Sequence, residues 1–347
     1  MGFSRQDIEC MALALKLSKK GRASVGANPM VGCVITRDGK IVSQDYHRQY
    51  GKGHAEVNAL DQIKHQGKGA KLYVTLEPCS HQVKTPPCTK VLIQAGVKKA
   101  IVAMLDPNPL VSGRGVKLLK DASIEVDIGL LQSEAMELNR GFIKRMETGM
   151  PFVTTKIAMS LDGGTAMGSG ESQWITSEAA RLDVHKLRSN NQAIMTGSGT
   201  IINDNPKLTA RLNDSEPNPL RVIVDSGNMI TDHKLNIFSS EASTLVLNDG
   251  NARILPNGKI DLKLALIKLG EMGINNLLLE AGSGLNGAML EAGLIDEFII
   301  YTAPVILGSD TKPMIEIPLT KISEKIQLNI LDIRKIGEDI KIKAVLK

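Results

Sequence analysis

His54, Cys79 and Cys88 have the types and spacing of a catalytic metal site. A zinc ion that activates water needs three protein ligands and one open position, and one imidazole with two thiolates makes such a set. Glu56 stands two residues after His54. A carboxylate there, at the head of a helix, can lie beside the metal without binding it and carry protons between water and a leaving amine. An H-x-E followed by P-C-x-x-C is the pattern of zinc deaminases. Here Cys79 and Cys88 each follow a proline, but the eight residues from Ser80 to Pro87 replace the usual two-residue spacer. Taken singly, each residue reads as a buried thiol or a satisfied polar group; taken together they specify a site. Cys10 and Cys33 have no such company and are expected to fill core. His47 and His81 are the alternative ligands nearby, and a fourth protein ligand would make the site structural. His81 is expected to face substrate instead.

The second half carries a different chemistry. An apolar run over 275–280 leads into Gly282-Ser283-Gly284-Leu285-Asn286-Gly287, a G-x-G-x-x-G opening a helical stretch. Glycines there let the backbone approach a phosphate at a helix N-terminus. An ordinary dinucleotide fold puts this motif on its first strand, with an acid about 20 residues later. Here the motif lies late in its domain and the nearest acids are Asp296 and Glu297, so a glycine turn without a ligand stays an alternative. A second polar loop, Thr196 to Thr200 and then Asn203 to Pro206, has the glycines and hydroxyls of a phosphate turn. Trp174, the single tryptophan, lies among polar residues where it can flank a planar ring. Arg188 and Arg211 fall near these loops as candidates for a substrate phosphate. No nucleophile with a base stands out, which suits hydride transfer by a bound cofactor.

These residues need a scaffold, and the hydrophobic periods supply one. A helix is expected over 7–20, strands over 30–35, 71–76, 99–105 and 124–129, a hairpin turn at Asp38-Gly39, and helices at 54–64, after Cys88 and at 115–122. The pattern breaks between Arg145 and Pro151 and then resumes, with strands at 152–159, 193–198, 220–226, 243–248, 275–280 and 297–307 and helices at 177–187, 262–272 and 285–291. Alternation of this kind gives two α/β domains, 1–147 and 148–347. The length of 347 residues fits two domains. With 42 Lys+Arg against 37 Asp+Glu and 3% aromatic residues, neither a basic stripe nor a stacking platform for nucleic acid is evident. The first ten residues hold Arg5, Asp7 and Glu9, which is unlike a signal peptide, and no apolar run is long enough to span a membrane. A cytoplasmic protein acting on anionic small molecules is expected.

Over nearly its whole length the sequence resembles the bifunctional riboflavin-biosynthesis family RibD. The resemblance rests on N-P-M-V-G at 28–32, G-H-A-E at 53–56, T-L-E-P-C-S-H at 75–81, T-P-P-C at 85–88, D-P-N-P at 106–109, S-L-D-G at 160–163, G-E-S-Q-W-I-T at 170–176 and E-A-G at 280–282. It implies a cytidine-deaminase-like α/β/α domain followed by a dihydrofolate-reductase-like α/β domain. The first would hydrolytically deaminate 2,5-diamino-6-ribosylamino-4(3H)-pyrimidinone 5′-phosphate with zinc; the second would reduce the ribosyl group of the product to ribityl with NADPH. Carried over position by position, His54, Cys79 and Cys88 resemble the zinc ligands and Glu56 the proton shuttle. Asn28, His81, Lys84, Asp106 and Asn108 resemble substrate contacts of the deaminase. Ala158, Trp174, Thr200, Asp204, Ser226 and the turn Gly282, Ser283, Gly284, Leu285, Asn286, Gly287 resemble NADPH contacts. Lys156, Ser172, Arg188, Leu208, Arg211 and Glu280 resemble substrate positions of the reductase. A homo-oligomer is implied as well. The competing reading is a nucleic-acid or nucleoside zinc deaminase fused to a nucleotide-binding domain, which predicts the short P-C-x-x-C spacer and, for nucleic acid, a basic stripe.

Overall fold

Ser4 and Asp7 begin the first helix by capping each other: the Ser4 hydroxyl accepts from the Asp7 N–H, and the Asp7 carboxylate accepts from the Ser4 N–H at 2.9 Å. Helix α1 (Arg5–Ser18) turns Cys10, Met11, Ala14 and Leu15 inward. The residues described are 2–80, 86–108, 111–212 and 217–347 of a computed structural model. They fall into two compact units, Met1–Thr148 and Gly149–Lys347.

In the first unit, strands β1 (Gly32–Arg37) and β2 (Lys40–Tyr46) form a hairpin across Asp38-Gly39, whose φ angles of 48° and 74° are the left-handed pair that a tight two-residue turn demands. Then follow α2 (Ala55–Gln62), β3 (Lys71–Val74), α3 (Cys88–Ala95), β4 (Lys99–Val102), α4 (Arg114–Asp121), β5 (Glu125–Ile128), α5 (Gln132–Leu138) and α6 (Arg140–Thr148). The sheet order is β2-β1-β3-β4-β5, antiparallel around β1 and parallel from β3 to β5. Leu60, Leu72, Leu92, Ile101 and Leu119 are fully buried in one core. Each such side chain contributes about 1.5–3 kcal/mol. Helices α5 and α6 were not anticipated by the periodicity.

The second unit comprises β6 (Phe152–Ser160), β7 (Gly164–Met167), α7 (Glu178–Ser189), β8 (Ala193–Gly197), α8 (Ser198–Asp204), β9 (Leu220–Val224), β10 (Thr244–Leu247), α9 (Leu262–Glu271), β11 (Asn276–Leu279), α10 (Ser283–Glu291), β12 (Glu297–Ala303), β13 (Thr311–Pro313), β14 (Leu328–Ile336) and β15 (Asp339–Leu346). Its main sheet runs β10-β9-β8-β11-β6-β12-β15-β14. The strands from β10 to β12 are parallel and the last two join antiparallel. Both units are therefore mixed α/β, as expected.

Three local readings are corrected. The stretch from Ser198 to Asp204 is a helix, not a loop. The strand expected over 297–307 ends at Ala303. The hairpin β14–β15 closes the sheet in a region to which the sequence pattern assigned no element.

Candidate functional site

His54 is the N-cap residue of α2 and Cys88 the first residue of α3, while Cys79 lies on the loop after β3. Two helix starts and one strand end thus converge. His54 Nδ1 lies 3.6 Å from Cys79 Sγ and 3.3 Å from Cys88 Sγ, and the Cys88 N–H donates to Cys79 Sγ at 3.2 Å. The ligand atoms all fall within 4.8 Å of one another. One nitrogen and two sulfurs with room for a fourth ligand fit a catalytic zinc ion. The Cys79 thiol is lowered by the hydrogen bond from Cys88 and by His54, so it is the sulfur that ionises first.

Glu56, on the first turn of α2, is 3% exposed, and burial pushes its carboxyl up to about 7. It can therefore both accept and return a proton near neutral pH. His47 is engaged elsewhere: its Nε2 lies 3.0 Å from Asn28 Nδ2 and its Nδ1 3.1 Å from the Gly53 carbonyl. Its ring stands edge-on to His54 with centroids 5.2 Å apart. Burial lowers the His47 pKa, favouring the neutral ring that supports Asn28.

A cavity of about 260 Å³ opens on this cluster, lined by Asn28, His47, His54, Glu56, Cys79, Asp106 and Asn108 together with Tyr50, Lys52, Phe142 and Met146. That volume accommodates a single heterocyclic base. His81 and Lys84 lie outside the described residues.

In the second unit the sequence-derived positions gather at one edge of the sheet. β6 pairs with β11 only through Thr155, so Lys156 and Ala158 lie on the length of β6 beyond the end of β11. Thr200 and Asp204 are on α8 after β8, Ser226 follows β9, and Gly282 caps α10 after β11. The carboxyl ends of adjacent parallel strands are where open α/β sheets bind ligands. Trp174 is 70% exposed, with the Arg181 guanidinium 4.7 Å from its ring centroid. The Ser172 hydroxyl donates to Asp204 Oδ1 at 3.1 Å.

The glycine motif divides. Gly282, Ser283, Gly284 and Leu285 start the helix, but a Cβ on Gly287 would stand 2.0 Å from the Glu316 carbonyl oxygen. Asn286 is buried, accepting from the Thr155 hydroxyl at 2.9 Å and donating to the Ala281 carbonyl. These last two positions serve packing.

Arg188 and Glu280 form a buried bidentate pair at 2.6 and 2.9 Å, and Arg188 also donates to the Thr209 carbonyl at 3.2 Å. Burial lowers the Lys156 pKa although Glu280 opposes it. Leu208 and Arg211 have left-handed φ angles of 51° and 49°, and the Leu208 side chain packs in a core with Ile201 and Ile223. Only the backbone of Leu208 is left to meet a ligand.

Two residues have no role in the sequence reading, although Glu77 stands within the T-L-E-P-C-S-H stretch. Arg221, fully buried on β9, donates to the carbonyls of Lys207, Asn236, Ser239 and Ala242 and so fixes the segment leading to Leu208. Glu77, 5% exposed, lines the first cavity. A charge inside an apolar strand pattern was the available signal for Arg221, and a charge directly after one for Glu77.

The fold and the first cluster define a class: a zinc-dependent deaminase domain in a chain with a second α/β domain. Residues 4–104 match the cytidine and deoxycytidylate deaminase zinc-binding region, and residues 151–342 match the RibD C-terminal domain. The riboflavin biosynthesis protein RibD of Escherichia coli is 43% identical over 96% of this chain and 98% of its own length. That of Haemophilus influenzae is 44% identical over 98% and 97%. The solved structure of Acinetobacter baumannii RibD superposes with a TM-score of 0.91 at 40% identity over 99% of both chains. A Thermotoga maritima structure described as a diaminohydroxyphosphoribosylaminopyrimidine deaminase/5-amino-6-(5-phosphoribosylamino)uracil reductase gives 0.89 at 31% identity over 99% of both. The chain belongs to the RibD family of bifunctional riboflavin biosynthesis enzymes, which favours that reading over a nucleic-acid or nucleoside deaminase. Its cofactors are zinc and NADPH.

Proposed function

We propose that the chain removes the amine of 2,5-diamino-6-ribosylamino-4(3H)-pyrimidinone 5′-phosphate by hydrolysis and then reduces the ribosyl group of 5-amino-6-(5-phosphoribosylamino)uracil to ribityl. The observation that carries the first step is the His54, Cys79 and Cys88 cluster with buried Glu56 beside it. His54, Cys79 and Cys88 would hold a zinc ion there, which would supply a water of lowered pKa as nucleophile at neutral pH. Glu56 takes a proton from the water and gives it to the departing amine, so that water is consumed and ammonia leaves. Asn28, held by His47, and Asp106 and Asn108 supply hydrogen bonds for the ring, with His81 and Lys84 as the remaining contacts and Lys84 suited to the phosphate.

For the second step a bound NADPH would supply the hydride that C1′ of the opened sugar receives. The reading assigns Ala158, Trp174, Thr200, Asp204, Ser226 and the start of α10 from Gly282 to Leu285 to the cofactor side and Lys156, Ser172, Arg188, Leu208, Arg211 and Glu280 to the substrate side. Their clustering at the carboxyl ends of β6, β8, β9 and β11 supports it. Asp204, accepting from Ser172, is a proton donor or polariser within that arrangement.

The substrates are small phosphorylated pyrimidines, not nucleic acid, and the site of action is the cytoplasm. Among the described residues no helix is long and apolar enough to cross a membrane. Exposed Ile330, Leu331 and Ile333 on the edge strand β14 support a homo-oligomer. The decisive experiment is a two-step assay with the zinc-loaded protein. Ammonia release from the diaminopyrimidine ribotide followed by stoichiometric NADPH oxidation is the expected result; folded, zinc-bound protein that releases no ammonia would refute the first half.

A further inference from the structure

Glu77 sits two residues before Cys79, at the end of the segment that leaves β3. Its backbone N–H donates to the Met104 carbonyl at 3.0 Å, which ties the ends of two neighbouring parallel strands. Its carboxylate then accepts from three backbone N–H groups: Asp106 at 3.1 Å and Gly113 at 2.9 Å on Oε2, and Val116 at 3.0 Å on Oε1. Gly113 is the N-cap residue of α4 and has no side chain to cap with, so Glu77 takes over the capping from another element. The connection continues through Asp106, whose Oδ1 accepts from the Asn108 N–H at 2.9 Å. Asp106 and Asn108 line the same cavity as Glu56 and Cys79. One buried side chain thus links the loop bearing a metal ligand to the Asp106–Asn108 segment that lines the same pocket.

We infer that Glu77 is a positioning residue of the deaminase reaction: its carboxylate sets the Asp106–Asn108 wall against the metal loop and thereby fixes how the ring is held. This rests on the deaminase reading above. The tie is close in a second way, because a Cβ on Gly115 would stand 2.1 Å from the Pro78 carbonyl oxygen. The start of α4 therefore lies directly on the Glu77-Pro78 backbone. A neutral amide at position 77 keeps one acceptor but turns an NH2 group toward backbone donors, so the wall must move while His54, Cys79, Cys88 and Glu56 remain unchanged in type.

Full-length zinc-loaded Glu77→Gln and Gly115→Ala are compared with the parent, with rates expressed per bound zinc and the reductase reaction of the same protein as an internal control. Both variants are expected to raise the KM of deamination about tenfold with kcat within about threefold, as loss of substrate positioning requires. Reductase rates should stay at the parent value. A KM equal to the parent's in Glu77→Gln overturns the inference, as does a fall in kcat per bound zinc with unchanged KM, which would make the residue act on the metal loop alone. Failure of both variants to retain zinc overturns it too, since Glu77 is then a folding residue. A parent protein that releases no ammonia would instead refute the deaminase reading.

Discussion

The Arg188 guanidinium grips the Glu280 carboxylate with two parallel hydrogen bonds, Nε to Oε1 at 2.6 Å and Nη2 to Oε2 at 2.9 Å. Both side chains are about nine-tenths covered, at 12% and 9% exposure. Burial raises the Glu280 pKa, but Arg188 and then Lys156 outweigh it and hold the carboxyl below its ordinary value. An ion pair of this kind is strongest as a fork and is costly to break from one side.

Arg188→Ala leaves Glu280 buried without its main partner, at a cost of about 3–5 kcal/mol. Thermal melting should show the second unit destabilised, and reductase turnover should be lost while ammonia release persists. Arg188→Lys, which cannot form the fork, should fall in between.

Glu56→Gln removes the proton carrier but no metal ligand. Deamination should fall by about 10²–10⁴-fold, the usual worth of a placed acid–base group, with zinc content unchanged by atomic absorption. Zinc loss in parallel with activity would move Glu56 into the ligand set.

Cys88→Ser and exhaustive chelation should both abolish ammonia release. NADPH oxidation with 5-amino-6-(5-phosphoribosylamino)uracil should continue at its former rate, because the zinc ligands all lie within the first unit. Equal loss of the two reactions would contradict the division of labour.

Asp7 gives a pH dependence of stability. Burial raises its pKa, yet the Ser4 hydroxyl and N–H, the Tyr73 phenol and the Lys71 ammonium together hold it far below the usual carboxylate range. A depressed folded pKa contributes stability that is complete above the unfolded value, about 3.9, and is lost as pH falls below it. Asp7→Asn should cost about 1–3 kcal/mol at pH 7, and melting curves of parent and variant should begin to converge below about pH 4 and go on converging as pH falls toward the depressed folded value.

Gly287→Ala should destabilise the second unit by about 1–3 kcal/mol, because the new methyl group overlaps the Glu316 carbonyl. Gly284→Ala meets nothing closer than the end of the Glu316 side chain at 3.8 Å and should leave melting unaffected while weakening NADPH binding measured by fluorescence. Unchanged NADPH affinity would remove Gly284 from the proposed cofactor turn.

The metal cluster was legible because His54, Glu56, Cys79 and Cys88 combine rare residue types, each beside a backbone signal of its own. The alternating α/β architecture was legible for the same reason that its core is buried: apolar residues recur with the period of the element that hides them. What escaped had weaker periods. Strand β14 carries a register irregularity between Ile330 and Asp332, which breaks the two-residue alternation. Helix α8 begins Ser-Gly-Thr, poor helix formers that read as a loop and are overruled by packing of Ile201 into the core. Glu77 and Arg221 escaped because a charge is ordinarily read as surface, and both are buried by backbone partners distant in sequence.

The candidate residues of the second sheet gather at the carboxyl ends of its strands, and the opposite ends lie outside the proposed site. Met272, 52% exposed in the turn that feeds β11, lies at that opposite end. Met272→Cys would accordingly offer an anchorage for a fluorophore or an immobilising tether, from which occupancy of the proposed site could be watched without obstructing it.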